Sequence, residues 1–526
     1  MRADGVMGSA ALTVVNALLV TMADGQEPFR GWFTVGDDGT ITAIGPGDPP
    51  AAPRSATAGG ATAPSAASGP AATASALPGA ATASAPVGDD LAGSVAAADA
   101  DGSVTGGGSA AAGAVLDAGG AIVAPGFVSA HSHLFMSGLR GLGVGQTLYG
   151  WLAENMAVLA GAGVEDLYWF TLHGGLDFAG NGITSAFNFT QSRVLWKYDQ
   201  HANKALPGRI QPIDFVTRQV DAGADAGIRV MSAVRLDDEA FDEADVLDTF
   251  AGIAAYADAN VPVPLNLGTA VFGAVQWASS PRTAALEAEL MRRHTVVNQA
   301  HFVETNEAIE QQRAKFAWYD EAGALGPRFL FGHFVHPTDE MVDKAAATGS
   351  GMVWQPTSNG RLGSGIADIP RLRAAGIRIG VGLDDQSCTD ISDPFQNMRI
   401  GIYTLSALHA DAAILMPRDM LRMHTLGSAE VLGVDDRIGS LEVGKQADFL
   451  VVDPREPDTG PIWDVFATYV FACGLRNLKR VYVGGRPVYD ASEPPSELVT
   501  MASAELHARV AHAAREAGVT VGPLTF

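Results

Sequence analysis

The sequence predicts an α/β fold: a (β/α)8 TIM barrel with a small β-sandwich built from both chain termini. Three observations carry this. Eight short, apolar, β-rich runs recur between residues 122 and 385. Amphipathic stretches such as "AALEAELMRRH" (284–294) and "TDEMVDKAAATG" (338–349) lie between some of them. Strand-and-turn patterning without helices returns at both ends of the chain. Alternating strand and helix signals over some 300 residues fit a parallel barrel, and no strict repeat points to a solenoid instead.

Taken in order, residues 1–48 read as the N-terminal part of the sandwich. "ALTVVNALLVTM" (11–22), "GWFTVG" and "ITAIG" are strand-like, and "DDGT" between the last two is a hairpin signal. The apolar run at 10–22 reads as a strand entering a turn rather than a signal peptide, because only Arg2 precedes it and no small-x-small site follows. Residues 49–115 are mostly Ala, Gly, Ser, Pro and Thr. Such a low-complexity insertion cannot bury enough apolar surface to offset its ordering entropy, so disorder or loose packing is expected. The sandwich resumes over 116–123. The barrel is expected over 124–432, from the runs 122–133, 182–190, 227–234, 261–270, 295–304, 328–336, 351–358 and 377–385. "IGSLEVGKQADFLVVD" (438–453) and "LKRVYVGGRPVYD" (478–490) return the chain to the sandwich over 433–495. The tail 496–526 reads as a surface helix.

Composition narrows the function classes. The 526-residue chain has a formal charge of −24 and is 47% hydrophobic. An acidic surface repels phosphate backbones and anionic lipid, so neither nucleic acid nor membrane is expected as a partner. No run of about 18 apolar residues suggests a membrane span. Two distant cysteines, Cys388 and Cys473, make no disulfide framework and suit a reducing, cytoplasmic setting. There is no P-loop and no GxSxG elbow, and "GLGVG" (141–145) lacks the third glycine of a dinucleotide fingerprint. Cys388 reads as a small hydrophobe rather than a nucleophile.

Barrel active sites lie at the C-terminal ends of the strands. His131 and His133 end the first run, His301 and Glu304 the fifth, His333 the sixth and Asp384 the eighth. Residues i and i+2 of a strand face the same way, so His131 and His133 can share one ion. His301 would approach from across the mouth and Asp384 would close the set. Three imidazoles and a carboxylate suit one divalent ion, zinc or alternatively iron, with room for a water. Glu304 follows His301 by three positions, so the chain must bend for both to reach the mouth. Either it shuttles protons there, or it is a surface glutamate opening a helix. His333 either orients the reacting groups or is a satisfied core histidine. His336 should be exposed.

Together these motifs resemble the amidohydrolase superfamily, in particular its cytosine deaminase-like branch of triazine and guanine deaminases and chlorohydrolases. The resemblance rests on "APGFVSAHSHL" (124–134), "AHFVET" (300–305), "GHFVHPTDEMV" (332–342), "QPTSNGRLGSGIADIPRLRAAGIRIGVGLDD" (355–385) and "IGSLEVGKQADFLVVD". It implies His131, His133, His301 and Asp384 as metal ligands, Glu304 as proton shuttle, His333 as orienting group, and a homo-oligomer, in particular a dimer; Asp384 is expected to be catalytic as well, either it or Glu304 accepting the proton of the attacking water. The fourth run has no lysine, so a carbamylated bridge is not expected and the site should hold one ion. The sequence departs from the branch at "GLDD", where Gly-Thr-Asp-Gly is usual, and at Gly360 and Arg361.

The expected activity is metal-dependent hydrolysis of a small molecule at a C–N bond other than a peptide bond, foremost deamination of an N-heterocycle. Cleavage of a carbon–halogen or cyclic amide bond on the same fold is the alternative, and a non-enzymatic scaffold the remote one. Phe135, Met136, Gln146, Trp151, Trp354 and Arg361 are the candidate substrate contacts.

Overall fold

The computed structural model describes residues 12–50, 113–199, 204–457 and 459–519. Positions 51–112 of the expected insertion lie outside them. The barrel and the layer that flanks it both belong to the unit formed by residues 1–49 and 111–526.

Eight parallel strands form one continuous sheet, in the order Phe127–Ser132, Ile183–Phe189, Arg229–Arg235, Asn266–Gly273, Asn298–Phe302, Phe329–His333, Gly351–Trp354 and Ile379–Val381. The last strand meets the first through a parallel bridge between Ser132 and Asp384. There the Asp384 amide donates to the His131 carbonyl at 2.9 Å, and the Leu383 amide donates to Ser129 Oγ at 3.0 Å. The barrel is therefore nearly closed. Its strands are buried on both faces, as parallel strands under a helical layer must be, which is why they read as apolar runs rather than alternating ones.

The helices pack outside the barrel. Arg282–His294 and Asp339–Thr348 occupy the stretches whose amphipathic pattern predicts them. Thr338 caps the second, its side chain accepting from the Met341 amide.

The flanking layer is one eight-stranded mixed sheet made from both ends of the chain. Arg486–Asp490, Leu478–Val483, Phe449–Val452, Ile122–Pro125, Leu12–Leu19, Phe29–Val35 and Ile41–Pro46 follow one another, and Ala114–Asp117 pairs with Leu12–Leu19. The expected small β domain built from both chain termini is present, its strands joined in one hydrogen-bonded sheet. It folds over itself: the Ile41 amide donates to the Lys445 carbonyl at 2.8 Å, and Phe33 meets Phe449 edge-on at 5.1 Å. The first predicted run divides at Gly126, its first half joining this sheet and its second half opening the barrel. Sheet and barrel are tied by buried Arg229, whose guanidinium donates to both oxygens of Asp448, at 2.7 and 2.8 Å.

The tail helix, Glu497–Glu516, is more than a surface element. Leu506, Val510, Ala513 and Ala514 are buried, and Arg509 pairs with Asp166 at 3.0 Å. Gly138 and Gly161 make room for it; a β-carbon on Gly161 would lie 1.9 Å from the Ala513 carbonyl oxygen. The helix braces the chain segment that follows the first barrel strand.

Candidate active site

Strand period alone does not bring the polar side chains together at the barrel mouth; positive backbone φ at the strand ends contributes. Val303, the turn expected between His301 and Glu304, has φ +48°, and His333, Phe334 and Asp384 have φ +67°, +46° and +62°. Left-handed backbone is uncommon for any non-glycine residue and strained for a β-branched one. It rotates the strand ends so that His301 and Glu304, three apart, both reach the cavity. Two glycines leave space for the His131 ring: a β-carbon on Gly382 would lie 2.5 Å from that of His131, and one on Gly332 would lie 3.0 Å from its Cε1.

The side chains converge. His133 Nε2 and His301 Nε2 are 3.1 Å apart. Asp384 Oδ1 lies 3.6 Å from His131 Nε2 and 3.7 Å from His133 Nε2. His333 Nε2 lies 3.5 Å from Glu304 Oε2 and 3.7 Å from Asp384 Oδ2. Among the described residues, three overlapping triads have ligand atoms close enough to share an ion: His131, His133 and Asp384; His131, His301 and His333; and, behind them, Asp384, Asp385 and Cys388. His131 Nε2, His333 Nε2 and Glu304 Oε2 are buried without a hydrogen-bond partner. Buried polar atoms are rarely left so, and these lie together. The donor set fits a divalent cation of the zinc type.

The neighbours decide which ring nitrogen faces inward. Gln299 Nε2 donates to the Ala130 carbonyl at 2.8 Å, which turns its Oε1 toward His131 Nδ1 at 2.5 Å. His131 therefore carries its proton on Nδ1 and presents the Nε2 lone pair to the centre. Asn359 Nδ2 donates to His333 Nδ1 at 2.8 Å, leaving that ring's proton on Nε2. His131 is thus set up as a ligand and His333 as a hydrogen-bond donor. Phe189, at the end of the second strand, packs against His131, His133 and His301, each with ring centroids 4.7 Å away.

Burial pushes all four imidazoles below the usual histidine range; for His131, Asp384 and Gln299 partly oppose it. They are neutral, as metal ligation requires. Burial, then the neighbouring Asp384, raises Glu304 well above the usual carboxylate range, and the same causes raise Asp385. The Cys388 thiol is held far above its usual value by burial, then by Asp384 and Asp385, so it is no thiolate nucleophile.

A cavity opens above this cluster. Of the candidate substrate contacts, Phe135, Met136 and Trp151 line it, and Gln146, Trp354 and Arg361 do not. Gln146 is exposed on the loop. The Trp354 ring points outward and lies over Gly401 in the helix layer. Arg361 is engaged by Asp390 at 3.1 Å. His336 is half-buried rather than exposed, its Nε2 donating to the Ser364 carbonyl at 2.6 Å. The lining also contains Arg235, Phe272 and Trp277, which sequence reasoning misses. Arg235 ends the third strand, stands 4.3 Å over Trp196 and faces Asp237 at 3.6 Å.

Residues 122–488, spanning the barrel and the strands on either side of it, match the model of the Amidohydrolase family. The chain belongs to that family. It is a metal-dependent hydrolase, and the resemblance drawn from the sequence motifs holds. Among amidohydrolases with a curated activity, it is 29% identical over 388 residues to the 5-methylthioadenosine/S-adenosylhomocysteine deaminase of Symbiobacterium thermophilum, covering 71% of this chain and 83% of the relative. Solved structures share its fold at lower identity. An adenosine deaminase from Xanthomonas campestris with bound zinc has a TM-score of 0.71 at 20% identity, over 95% of this chain and 99% of that one. An atrazine chlorohydrolase from Arthrobacter aurescens complexed with zinc has a TM-score of 0.70 at 17% identity, over 95% and 100%. No helix among the described residues is long and apolar enough to cross a membrane.

Proposed function

We propose that this amidohydrolase is an aminohydrolase that removes an exocyclic amine from an N-heterocycle with the help of one bound zinc ion. The observation that carries the reading is the convergence of His131 Nε2, His333 Nε2 and Glu304 Oε2, all buried and unpartnered, beside His133, His301 and Asp384. The deaminase activity of the curated relative supports the choice of amine as leaving group.

His131, His133, His301 and Asp384 would hold the ion. Bound there, zinc would supply the Lewis acidity that makes a water a nucleophile near neutral pH. Glu304, 3.5 Å from His333 Nε2 and reaching the cavity, takes a proton from the attacking water and delivers it to a ring nitrogen. It then takes the second proton, from the hydroxyl now on the ring carbon, and passes it to the amine, so that this carbon keeps its oxygen as a carbonyl. A C–O bond forms, the exocyclic C–N bond breaks, and ammonia leaves with its electron pair. His333, donating from Nε2, steadies the oxygen that develops negative charge. Phe135, Phe272 and Trp277 offer flat apolar faces for a ring.

The test is an ammonia-release screen of the zinc-loaded enzyme over purines, pterins, triazines and pyrimidines. Ammonia from one class, matched mole for mole by the hydroxylated ring, is the expected result. Silence across the panel at full zinc occupancy would overturn the reading.

A further inference from the structure

We infer that the substrate ring carries a bulky apolar substituent, received by the helix that covers the site; the inference rests on the aminohydrolase reading and specifies its substrate class. The covering helix is Leu148–Leu159, in the segment after the first barrel strand. Leu148, Trp151, Leu152 and Met156 stand at i, i+3, i+4 and i+8, which places them on one face. Such a stripe ordinarily packs into a core. These four do pack in an apolar cluster with Phe135, Met136 and Leu362, and all four also line the cavity, as Leu362 does from the segment after the seventh strand. The polar lining residues beyond the metal-side cluster are Asp385, next to Asp384, and Gln191, Ser192 and Arg235, which follow or end the second and third strands. The cavity is therefore polar in one part and apolar under the helix.

The apolar wall is preformed. Asn155 lies on the same helix face and is fully buried. Its Nδ2 donates to the Trp151 carbonyl at 2.8 Å, and its Oδ1 accepts from Ser387 Oγ at 2.7 Å. Trp151 Nε1 donates to the same Ser387 oxygen at 3.1 Å. Ser387 is the third residue after Asp384, in a turn held by Asp385, whose Oδ1 accepts from the Ser387 and Cys388 amides at 2.7 and 2.9 Å. The helix is thus pinned to the turn that leaves the metal-side cluster, and its leucines and methionine are fixed over the cavity. Water against that wall is displaced most favourably by hydrocarbon. A bare amino-heterocycle held at the cluster offers none.

The experiment uses the zinc-loaded full chain with aminopurines, aminopyrimidines and amino-s-triazines, each as methyl, butyl and benzyl derivatives. Ammonia release gives kcat/KM, and calorimetry on the zinc-loaded Glu304→Gln enzyme gives Kd without turnover. Within the ring family that is deaminated, both constants should improve about fourfold per added methylene from methyl to butyl. Leu152→Ser and Met156→Gln should each shrink the butyl-to-methyl ratio, with zinc content and circular dichroism showing that the variant is folded. A flat or falling series with ammonia released overturns the inference and leaves the aminohydrolase reading intact. Affinity that climbs along every series with no ammonia from any member supports the apolar wall and overturns the aminohydrolase reading.

Discussion

Gln299→Leu removes the one side chain that selects the His131 tautomer. Gln299 is fully buried, and its two amide atoms are both engaged, Nε2 by the Ala130 carbonyl and Oε1 by His131 Nδ1. Leucine has similar size, so the expected loss is polar rather than steric. The Nδ1–H of His131 would then be buried without an acceptor, at a cost of about 1–3 kcal/mol. The imidazole could relieve this by moving its proton to Nε2, the nitrogen that faces His133, His301 and Asp384, and it would then no longer ligate. Partners of this kind are worth about ten- to a hundredfold in metal affinity, or about 1.4–2.8 kcal/mol, which agrees with the hydrogen-bond figure. Zinc dissociation constants from competition with a chromogenic chelator measure the change, and the ¹⁵N shifts of His131 report the tautomer. Gln299→Glu should keep or tighten binding, because a carboxylate accepts from Nδ1–H more strongly. A folded Gln299→Leu enzyme that binds zinc within twofold of the parent would refute the tautomer argument.

Three other outcomes are expected. Glu304→Gln should retain zinc and lose about 10²–10⁴ in turnover, the usual range for a general acid–base group; near-normal kcat in a steady-state ammonia assay would show that Glu304 is misassigned. Asp448→Ala should lower stability by about 3–5 kcal/mol, because it leaves the Arg229 guanidinium buried without its carboxylate; an unchanged urea midpoint would show that the tie between sheet and barrel is unimportant. Burial lowers His424 from 6.5 to about 4. Above pH 6.5 it is neutral in both folded and unfolded chains. As pH falls from 6.5 to 4 the unfolded chain takes up a proton that the folded chain refuses, so about 3 kcal/mol of stability is lost across that window and the loss levels off below it. His424→Gln should remove this part of the acid slope in denaturant titrations followed from pH 8 to 4, and an identical slope in both proteins would count against it.

The barrel is legible in the sequence because each strand is buried on both faces and so leaves a short apolar run that amphipathic helices interrupt. The six polar residues of the cluster are legible because they stand at the ends of those runs. What period 2 does not disclose is the backbone reversal at Val303. Gln299 is within reach of the same rule, since it stands two residues before His301 on the same face of the strand. It escapes a search for metal ligands because an amide is not among the usual ligand types. Arg235 and Phe272 escape for a different reason. The third predicted run ends one residue early, at 234, and the fourth is placed at 261–270, whereas its strand is Asn266–Gly273. Trp354 is expected in the pocket from its place near a strand end, but its side chain faces the helix layer. Arg361 is not excluded by sequence, because Asp390, its partner, is 29 residues away.

The left-handed residues at the site explain why the cluster needs the rest of the fold. A non-glycine residue held in that region costs on the order of 1–3 kcal/mol, and Val303, His333, Phe334 and Asp384 all stand there. None of these could be held in isolation. Phe334 is locked by its stack on Phe331, 4.3 Å between centroids, and the Val303 carbonyl accepts from the His336 amide at 3.0 Å. Asp384 is held from both sides, by its amide bond to the His131 carbonyl and by the Asp385 turn behind it. The strain at Asp384 is therefore opposed by a bond to the residue that shares its proposed ion. Barrel closure and assembly of the cluster are one event: the bridge that joins the eighth strand to the first is also what brings the carboxylate to the histidines. Agents that loosen that seam should release metal before they unfold the barrel as a whole.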